Sequence, residues 1–266
     1  MKRSLVTPSN RVGHVLAIVS QKGGVGKTTT AINIAAAFAR RGMKTLIIDA
    51  DPQGSVRYGL GLNAATTRYG LSDFLAGAKQ MHEVVRTTNL PWLRVVSAGS
   101  VTESSAHEGY LRDFAASPRT AQLFERARAR GYTVVVDTPP GLGPVVHRVL
   151  MQSQHVLVPL QCEPLALQTT TQILRGIRAA LAANSGLAFE GILLTMVEPD
   201  NPASQRVASY VREQLPSGLV LDTVVPRTAA SVDAFAAGQP LVLRAPDDAG
   251  AQAYRAIAQV LAGKMV

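Results

Sequence analysis

Short apolar runs alternate with longer amphipathic ones along almost the whole chain. The runs "HVLAIV" at 14–19, "TLIID" at 45–49, "LRVVS" at 93–97, "TVVVD" at 133–137, "VLVPL" at 156–160, "GILLT" at 191–195 and "LVLDTVV" at 219–225 predict strands. Most are near-continuous Val, Ile and Leu, the pattern of strands covered on both faces of a parallel sheet. Between them, 27–41, 118–130, 165–183, 203–215 and 249–262 carry helical spacing. Ala31, Ile34, Ala35 and Phe38 form one apolar face of the first helix, which runs into Gly42, a natural stop. Ser117 and Pro118 open the second as cap and first-turn proline, and Gly131 closes it. Strand and helix in alternation predict an α/β fold, a mostly parallel twisted sheet flanked by helices on both faces. One domain over 1–266 is expected, with a flexible start over 1–12. Residues 60–92 and 98–118 have the least regular pattern and are expected to decorate the sheet.

Composition narrows this picture modestly. With 47% hydrophobic and 17% charged residues over 266 positions, the chain is globular and can bury a core. A single cysteine, Cys162, excludes an internal disulfide and argues against a cysteine-held cluster within one chain. His14, His82, His107, His147 and His155 show no metal spacing and read as surface or core residues. No stretch approaches the ~20 apolar residues of a membrane span, and no apolar run follows Lys2 and Arg3 as in a signal peptide. A cytoplasmic protein is expected. The net charge of +9 favours an acidic partner such as nucleic acid, anionic lipid or an acidic protein.

The stretch "QKGGVGKTTT", Gln21 to Thr30, sits between the first strand and the first helix. The ordinary phosphate loop reads G-x-x-x-x-G-K-[ST]; here Gly26, Lys27 and Thr28 fit, while Gln21 occupies the first glycine position. Gly23, Gly24, Val25 and Gly26 offer backbone N–H groups to phosphate oxygens, and the helix start at Lys27, Thr28 and Thr29 adds its partial positive charge. Lys27 would reach the β- and γ-phosphates, and the Thr28 hydroxyl would bind Mg2+. Two further strands end in carboxylates, Asp49 with Asp51, and Asp137. Parallel strands deliver their ligands at this same edge. A phosphate cradle and two acidic strand ends in this order are specific for a nucleoside triphosphatase.

Lys22 has no role in the ordinary loop. The arrangement K-G-G-x-G-K-T at 22–28 resembles the deviant Walker A motif of the ParA/MinD superfamily, and the resemblance covers nearly the whole chain. It implies a P-loop NTPase fold of the deviant Walker A type. It also implies that Lys22 reaches across a nucleotide-sandwich homodimer to the partner's phosphates, where a cation couples ATP binding to dimerisation. The stretch D-A-D-P-Q-G at 49–54 resembles switch I, so Asp51 would position the attacking water and Asp49 would lie near Mg2+ and its waters. D-T-P-P-G-L-G at 137–143 resembles Walker B followed by switch II, so Asp137 would hold a magnesium-bound water beside a loop that senses the γ-phosphate. G-I-L-L-T-M at 191–196 implies that Thr195 and Met196 lie near the adenine. Pro226, Arg227, Gly238 and Pro240 match a later family stretch, with Asp233 where glutamate is usual, and imply base contacts from residues 225–228. No N-K-x-D guanine signature is present, which favours ATP over GTP. Cys162 and Glu163 read as structural or interfacial.

The resemblance further implies a partition or positioning ATPase, slow without a stimulating ParB-like or cargo-adaptor protein. Its ATP dimer would bind double-stranded DNA without sequence preference and so associate with the nucleoid. The first strand begins so early that no room is left for an N-terminal helix-turn-helix, as in the small ParA type. Arg175, Arg178, Arg206, Arg212, Arg227 and Arg244 are the candidate DNA contacts, and Arg119, Arg126, Arg128 and Arg130 form another basic cluster. Asp247 and Asp248 stand where the family is usually basic and are expected to weaken a DNA face there. The alternative is a MinD-like membrane-cycling ATPase. The tail "YRAIAQVLAGKMV" carries Tyr254, Ile257, Val260 and Leu261 but few cations, and reads as a core-packing helix rather than a membrane one. A cluster-bearing reductase of this fold lacks its cysteines, and Asp51 and Asp137 argue against a non-enzymatic nucleotide sensor.

Overall fold

A computed structural model of the chain describes residues 12–99, 101, 104–163 and 166–265, with the backbone alone at 104–106 and 166–169. The flexible start expected over 1–12 lies, apart from Val12, outside these residues. The first half runs β1 (Val15–Ile18), α1 (Lys27–Arg40), β2 (Thr45–Asp49), α2 (Val56–Gly59), α3 (Leu71–Leu75), α4 (Met81–Val84), β3 (Arg86–Thr87), β4 (Leu93–Val96), α5 (Ser104–Ala116) and α6 (Pro118–Ala129). The second half runs β5 (Thr133–Asp137), α7 (Pro144–Gln152), β6 (His155–Gln161), α8 (Ala166–Ala183), β7 (Ala188–Thr195), α9 (Pro202–Gln214), α10 (Ala229–Ala236), α11 (Leu241–Arg244) and α12 (Ala249–Lys264).

The strands form one sheet in the order β3-β4-β2-β5-β1-β6-β7, parallel throughout except for the short β3, which runs antiparallel to β4. Successive residues of β1 point to opposite faces, and both faces are dry. Val15 and Ala17 join one apolar cluster, with α5 to α9, while Leu16 and Ile18 join another under α1 and α10 to α12. This two-sided burial explains the unbroken apolar runs. Each fully buried Ile, Leu or Phe, such as Ile47 or Phe38, contributes roughly 1.5–3 kcal/mol. The sheet therefore has ample apolar burial to hold polar groups at its edge.

The segment 219–225 is not a continuous strand. It touches β7 at intervals, through Ile192 N to Leu219 O, Leu221 N to Ile192 O and Val225 N to Leu194 O, and forms only isolated bridges. Residues 98–118 are not merely decoration, since most of them form α5. Its polar, Gly109-containing sequence hid the helix, which is held by packing on α7 rather than by a strong apolar stripe. Helix α7 was legible in principle, for Pro144 sits at its first turn. Gly238 and Gly61 approach each other so closely that a Cβ on Gly238 would lie 2.5 Å from the Gly61 Cα, and both have positive φ.

At the amino-terminal strand ends, away from the phosphate loop, lies a cluster the sequence did not announce. His14 Nδ1 is 3.0 Å from His155 Nε2, and His155 Nδ1 is 2.7 Å from Glu190 Oε1. Lys264, at the end of α12, completes it at 2.5 Å from Glu190 Oε2. The register shift between β6 and β7 at this point turns Glu190 inward. Burial, helped by His155 and Arg128, lowers the His14 pKa below its usual 6.5. Burial pushes Glu190 up, but the hydrogen bonds and charges of His155 and Lys264 outweigh it and leave the carboxyl below its usual range. In both cases the unfolded chain binds more protons than the folded one. The His14 contribution should therefore be intact above about pH 6.5 and fade as pH falls through the lowered folded value; the Glu190 contribution fades further down. The urea midpoint of wild type, measured relative to that of His14→Gln, should therefore fall between pH 7.5 and 5.5, a difference that separates the imidazole from the buried carboxylates titrating over the same range.

Candidate active site

The parallel register brings three strand ends level. Ile18 pairs with Asp137, and Asp49 pairs with Asp137 from the other side. The loop after β1 turns with Gly24 and Gly26 at φ 78° and 84°, a conformation glycine adopts without strain. Gly26 then caps α1 with no side chain bonded to its first-turn amides. The first amides of α1 are left for an anion, with the helix dipole behind them.

Lys27 is only 7% exposed, and its Nζ donates to the Lys22 carbonyl at 3.3 Å. Burial lowers its pKa, opposed by the charges of Asp137 and Asp51. Thr28 Oγ1 donates to Asp137 Oδ2 at 2.7 Å. Asp137 is fully buried, and burial drives its pKa to about 7, against the pull of Thr28 and Lys27. Asp49 is equally buried and sits well above the carboxylate range, first through burial and then through the neighbouring Asp137. Its Oδ2 accepts from Val56 N at 3.1 Å. The Asp51 amide faces the same carboxyl but lacks the geometry of a full hydrogen bond, for Asp49 Oδ1 is without a partner, as is Asp137 Oδ1. Two buried carboxylates with one orphaned oxygen each fit a hard divalent cation. Among the described residues no three His, Cys, Asp or Glu side chains gather as a metal cage. That suits Mg2+, which is held by one or two carboxylates together with substrate phosphates. Asp51, half-buried beyond them, accepts from Gln53 N at 2.9 Å and so points along its own turn.

Lys22 stands at the rim. Its Nζ pairs with Glu163 Oε1 of the same chain at 2.8 Å, with the two side chains 39% and 31% exposed. Such a pair is worth at most about 1 kcal/mol. It does not hold Lys22 against a stronger anion.

Beside the loop a cavity of about 420 Å³ opens between Gly26, Thr29 and the 225–236 segment. Thr195, Met196, Pro226 and Arg227, the residues proposed from the sequence for the base, line it together with Phe235 and Tyr254, which no local sequence signal marked. Tyr254 arrives from α12, near in space but 224 residues from the Thr30 hydroxyl it meets at 3.3 Å. Thr195 Oγ1 donates to the carbonyl of Val25 at 2.9 Å and ties the cavity to the loop. Arg227 leans on Glu198 at 3.4 Å at the rim.

The candidate DNA arginines do not converge. Arg175 and Arg178 on α8 and Arg206 on α9 are exposed on one side of the sheet, while Arg244 on α11 is exposed on the other. Arg212 is engaged with the carbonyls of Leu221 and Asp222, Arg128 with Gly13 and Arg119 with Lys79. Asp248 is more than a misplaced charge on a basic face. Its Oδ1 caps α12 through Gly250 N at 2.9 Å and accepts from the Thr228 hydroxyl at 3.2 Å.

A family model described as an AAA domain matches residues 13–188. The chain is similar to the chromosome partitioning protein ParA of Caulobacter vibrioides, 40% identical over 250 residues and 92% of each chain. It is also similar to the sporulation initiation inhibitor protein Soj of Bacillus subtilis, 31% identical over 94% of this chain and 99% of that one. Among solved structures it resembles cobyrinic acid a,c-diamide synthase of Mycobacterium smegmatis with bound ATP analog and magnesium. That likeness has a TM-score of 0.77 at 28% identity, over 94% of this chain and 95% of the other.

The carboxylate pair makes a prediction of opposite signs. Asp137→Asn keeps an acceptor for Thr28 but removes a fully buried carboxyl whose charged form burial disfavours. The nucleotide-free protein should melt a few degrees higher than wild type by scanning calorimetry. The extra stabilisation that Mg2+ adds to bound ATP should disappear in the same variant.

Proposed function

The chain belongs to the ParA/MinD superfamily and is an ATPase that uses ATP and Mg2+, and from that premise we propose an ATP-switched partition protein that works as a nucleotide-sandwich homodimer. ATP assembles the dimer, the dimer binds double-stranded DNA without sequence preference, and a ParB-like or cargo-adaptor protein triggers hydrolysis and release. The protein acts in the cytoplasm and associates with the nucleoid in its ATP form.

In this reading Lys27 and the amides of Gly23 to Thr29 hold the β- and γ-phosphates. Thr28, Asp49 and Asp137 hold Mg2+ and its waters. When bound, Mg2+ neutralises charge on the β- and γ-oxygens. Asp51 orients the attacking water, and Lys22 leaves Glu163 to reach the partner's phosphates. Thr195, Met196, Pro226 and Arg227 enclose the adenine. The observation that carries the reading is the meeting of Lys27, Thr28 and the orphaned oxygens of Asp49 and Asp137 at one helix start. The net charge of +9 and the exposed Arg175, Arg178 and Arg206 favour DNA as the surface partner. The MinD-like alternative is disfavoured because Tyr254, Ile257 and Leu261 of α12 are buried in the core; of the four apolar residues expected to pack there only Val260 is exposed, too little for an apolar membrane face.

The test is binding to random-sequence duplex DNA with ATP, ADP or no nucleotide across a salt series. Binding with ATP alone is expected, weakening about 100-fold between 50 and 200 mM salt if about four phosphates are contacted. Lys22→Ala should still bind ATP but lose ATP-dependent dimerisation in sedimentation, and DNA binding with it. ATP-dependent dimers without affinity for DNA would move the search to anionic vesicles or a protein scaffold.

A further inference from the structure

The stretch 98–118 has no part in the reading above, yet α5 within it reaches the candidate site. Tyr110 Oη donates to the carbonyl of Ala50 at 3.1 Å, a contact between residues 60 apart in the chain. The ring is 4% exposed and packs on Phe114 with centroids 6.1 Å apart. Burial, with Asp49 and Asp51 adding to it, raises the Tyr110 pKa well above 10, so the hydroxyl stays a donor.

The accepting carbonyl lies between the two aspartates of the D-A-D stretch. It shares one rigid peptide plane with the N–H of Asp51. That N–H faces the Asp49 carboxyl. The N–H of Ala50 itself is bonded to the Asp137 carbonyl at 2.8 Å. Turning the 50–51 peptide would therefore move the Asp51 backbone and withdraw an amide from Asp49 together. Among the described residues the other partners at this turn come from Gln53 to Val56 and from β5; the tyrosine ties it to α5, which packs against α7, the helix that follows residues 138–143.

We propose that Tyr110 is a positioning residue for ATP hydrolysis, its hydroxyl fixing the 50–51 peptide plane and through it the place of the Asp51 carboxylate. The inference rests on the reading of Asp51 as the residue that orients the attacking water. Tyr110 touches neither nucleotide nor water, and nucleotide affinity does not depend on it.

The experiment compares wild type, Tyr110→Phe, Asp51→Ala and the double variant in basal ATP turnover and in ADP affinity. Phe114→Leu serves as a variant that loosens the same helix without touching the hydroxyl. Amide hydrogen exchange at Asp51 is followed by NMR in the nucleotide-free protein. Tyr110→Phe should lower kcat about 3- to 10-fold, the worth of one lost hydrogen bond, with KM and ADP affinity within twofold. It should speed exchange at Asp51, and it should cost nothing further in the Asp51→Ala background. Phe114→Leu should lower the melting temperature while leaving kcat in place. An unchanged kcat or unchanged exchange in Tyr110→Phe overturns the proposal, as does an equal kcat loss in Phe114→Leu. Normal turnover in Asp51→Ala overturns instead the assignment of Asp51, and this proposal with it.

Discussion

Asp49 and Asp137 face each other as register partners at the ends of two neighbouring strands, both sealed from solvent. In a chain without bound cations this is an unfavourable arrangement: burial raises both pKa values, with Asp137 adding to the rise at Asp49 and Asp51 to that at Asp137. It persists because the sheet beneath is apolar on both faces and fixes the register. A one-residue slip would turn every inward side chain of β2 or β5 to the wrong cluster. The stability of the core thus supports a strained polar edge, and the strain is of the kind that a divalent cation and phosphates relieve.

The same edge explains why the phosphate loop needs no side-chain cap. A serine or aspartate before Lys27 would satisfy the first amides of α1 and close the anion site. Gly26 leaves them open. The buried lysine behind them carries its charge at some cost in solvation, offset by Asp137 and Asp51. Lys22, five residues earlier, lives in a different setting. Its backbone carbonyl is anchored by Ser20 and Lys27, but its half-buried side chain makes a weak pair with Glu163, so the ammonium can move without disturbing the fold.

The surface charges have less uniform purposes than their number suggests. Asp248 is the cap of α12 and binds Thr228, next to the cavity. Arg128, Arg119 and Arg212 satisfy backbone carbonyls between elements. A tally of charge along the chain assigns all of these to the solvent. The three-dimensional arrangement takes several of them out of any binding face and leaves Arg175, Arg178 and Arg206 as an exposed set on α8 and α9.

Much of the fold was legible because its signals are local. Six of the seven runs of Val, Ile and Leu are strands, since two-sided burial demands apolar residues at every position. The glycine loop, Lys27, Thr28 and the aspartates closing β2 and β5 were legible because backbone turns and strand ends tie chemistry to short spacings. The run at 219–225 misled because a hydrophobic stretch cannot tell a full ladder from intermittent bridges. Helix α5 was hidden because tertiary packing, not amphipathic spacing, holds it. What only the folded chain decided were meetings between distant residues: Tyr254 with Thr30, Lys22 with Glu163, His14 with His155 and Glu190, and Tyr110 with Ala50. Each depends on which strands lie side by side and how they are staggered, and no local pattern of residues encodes that.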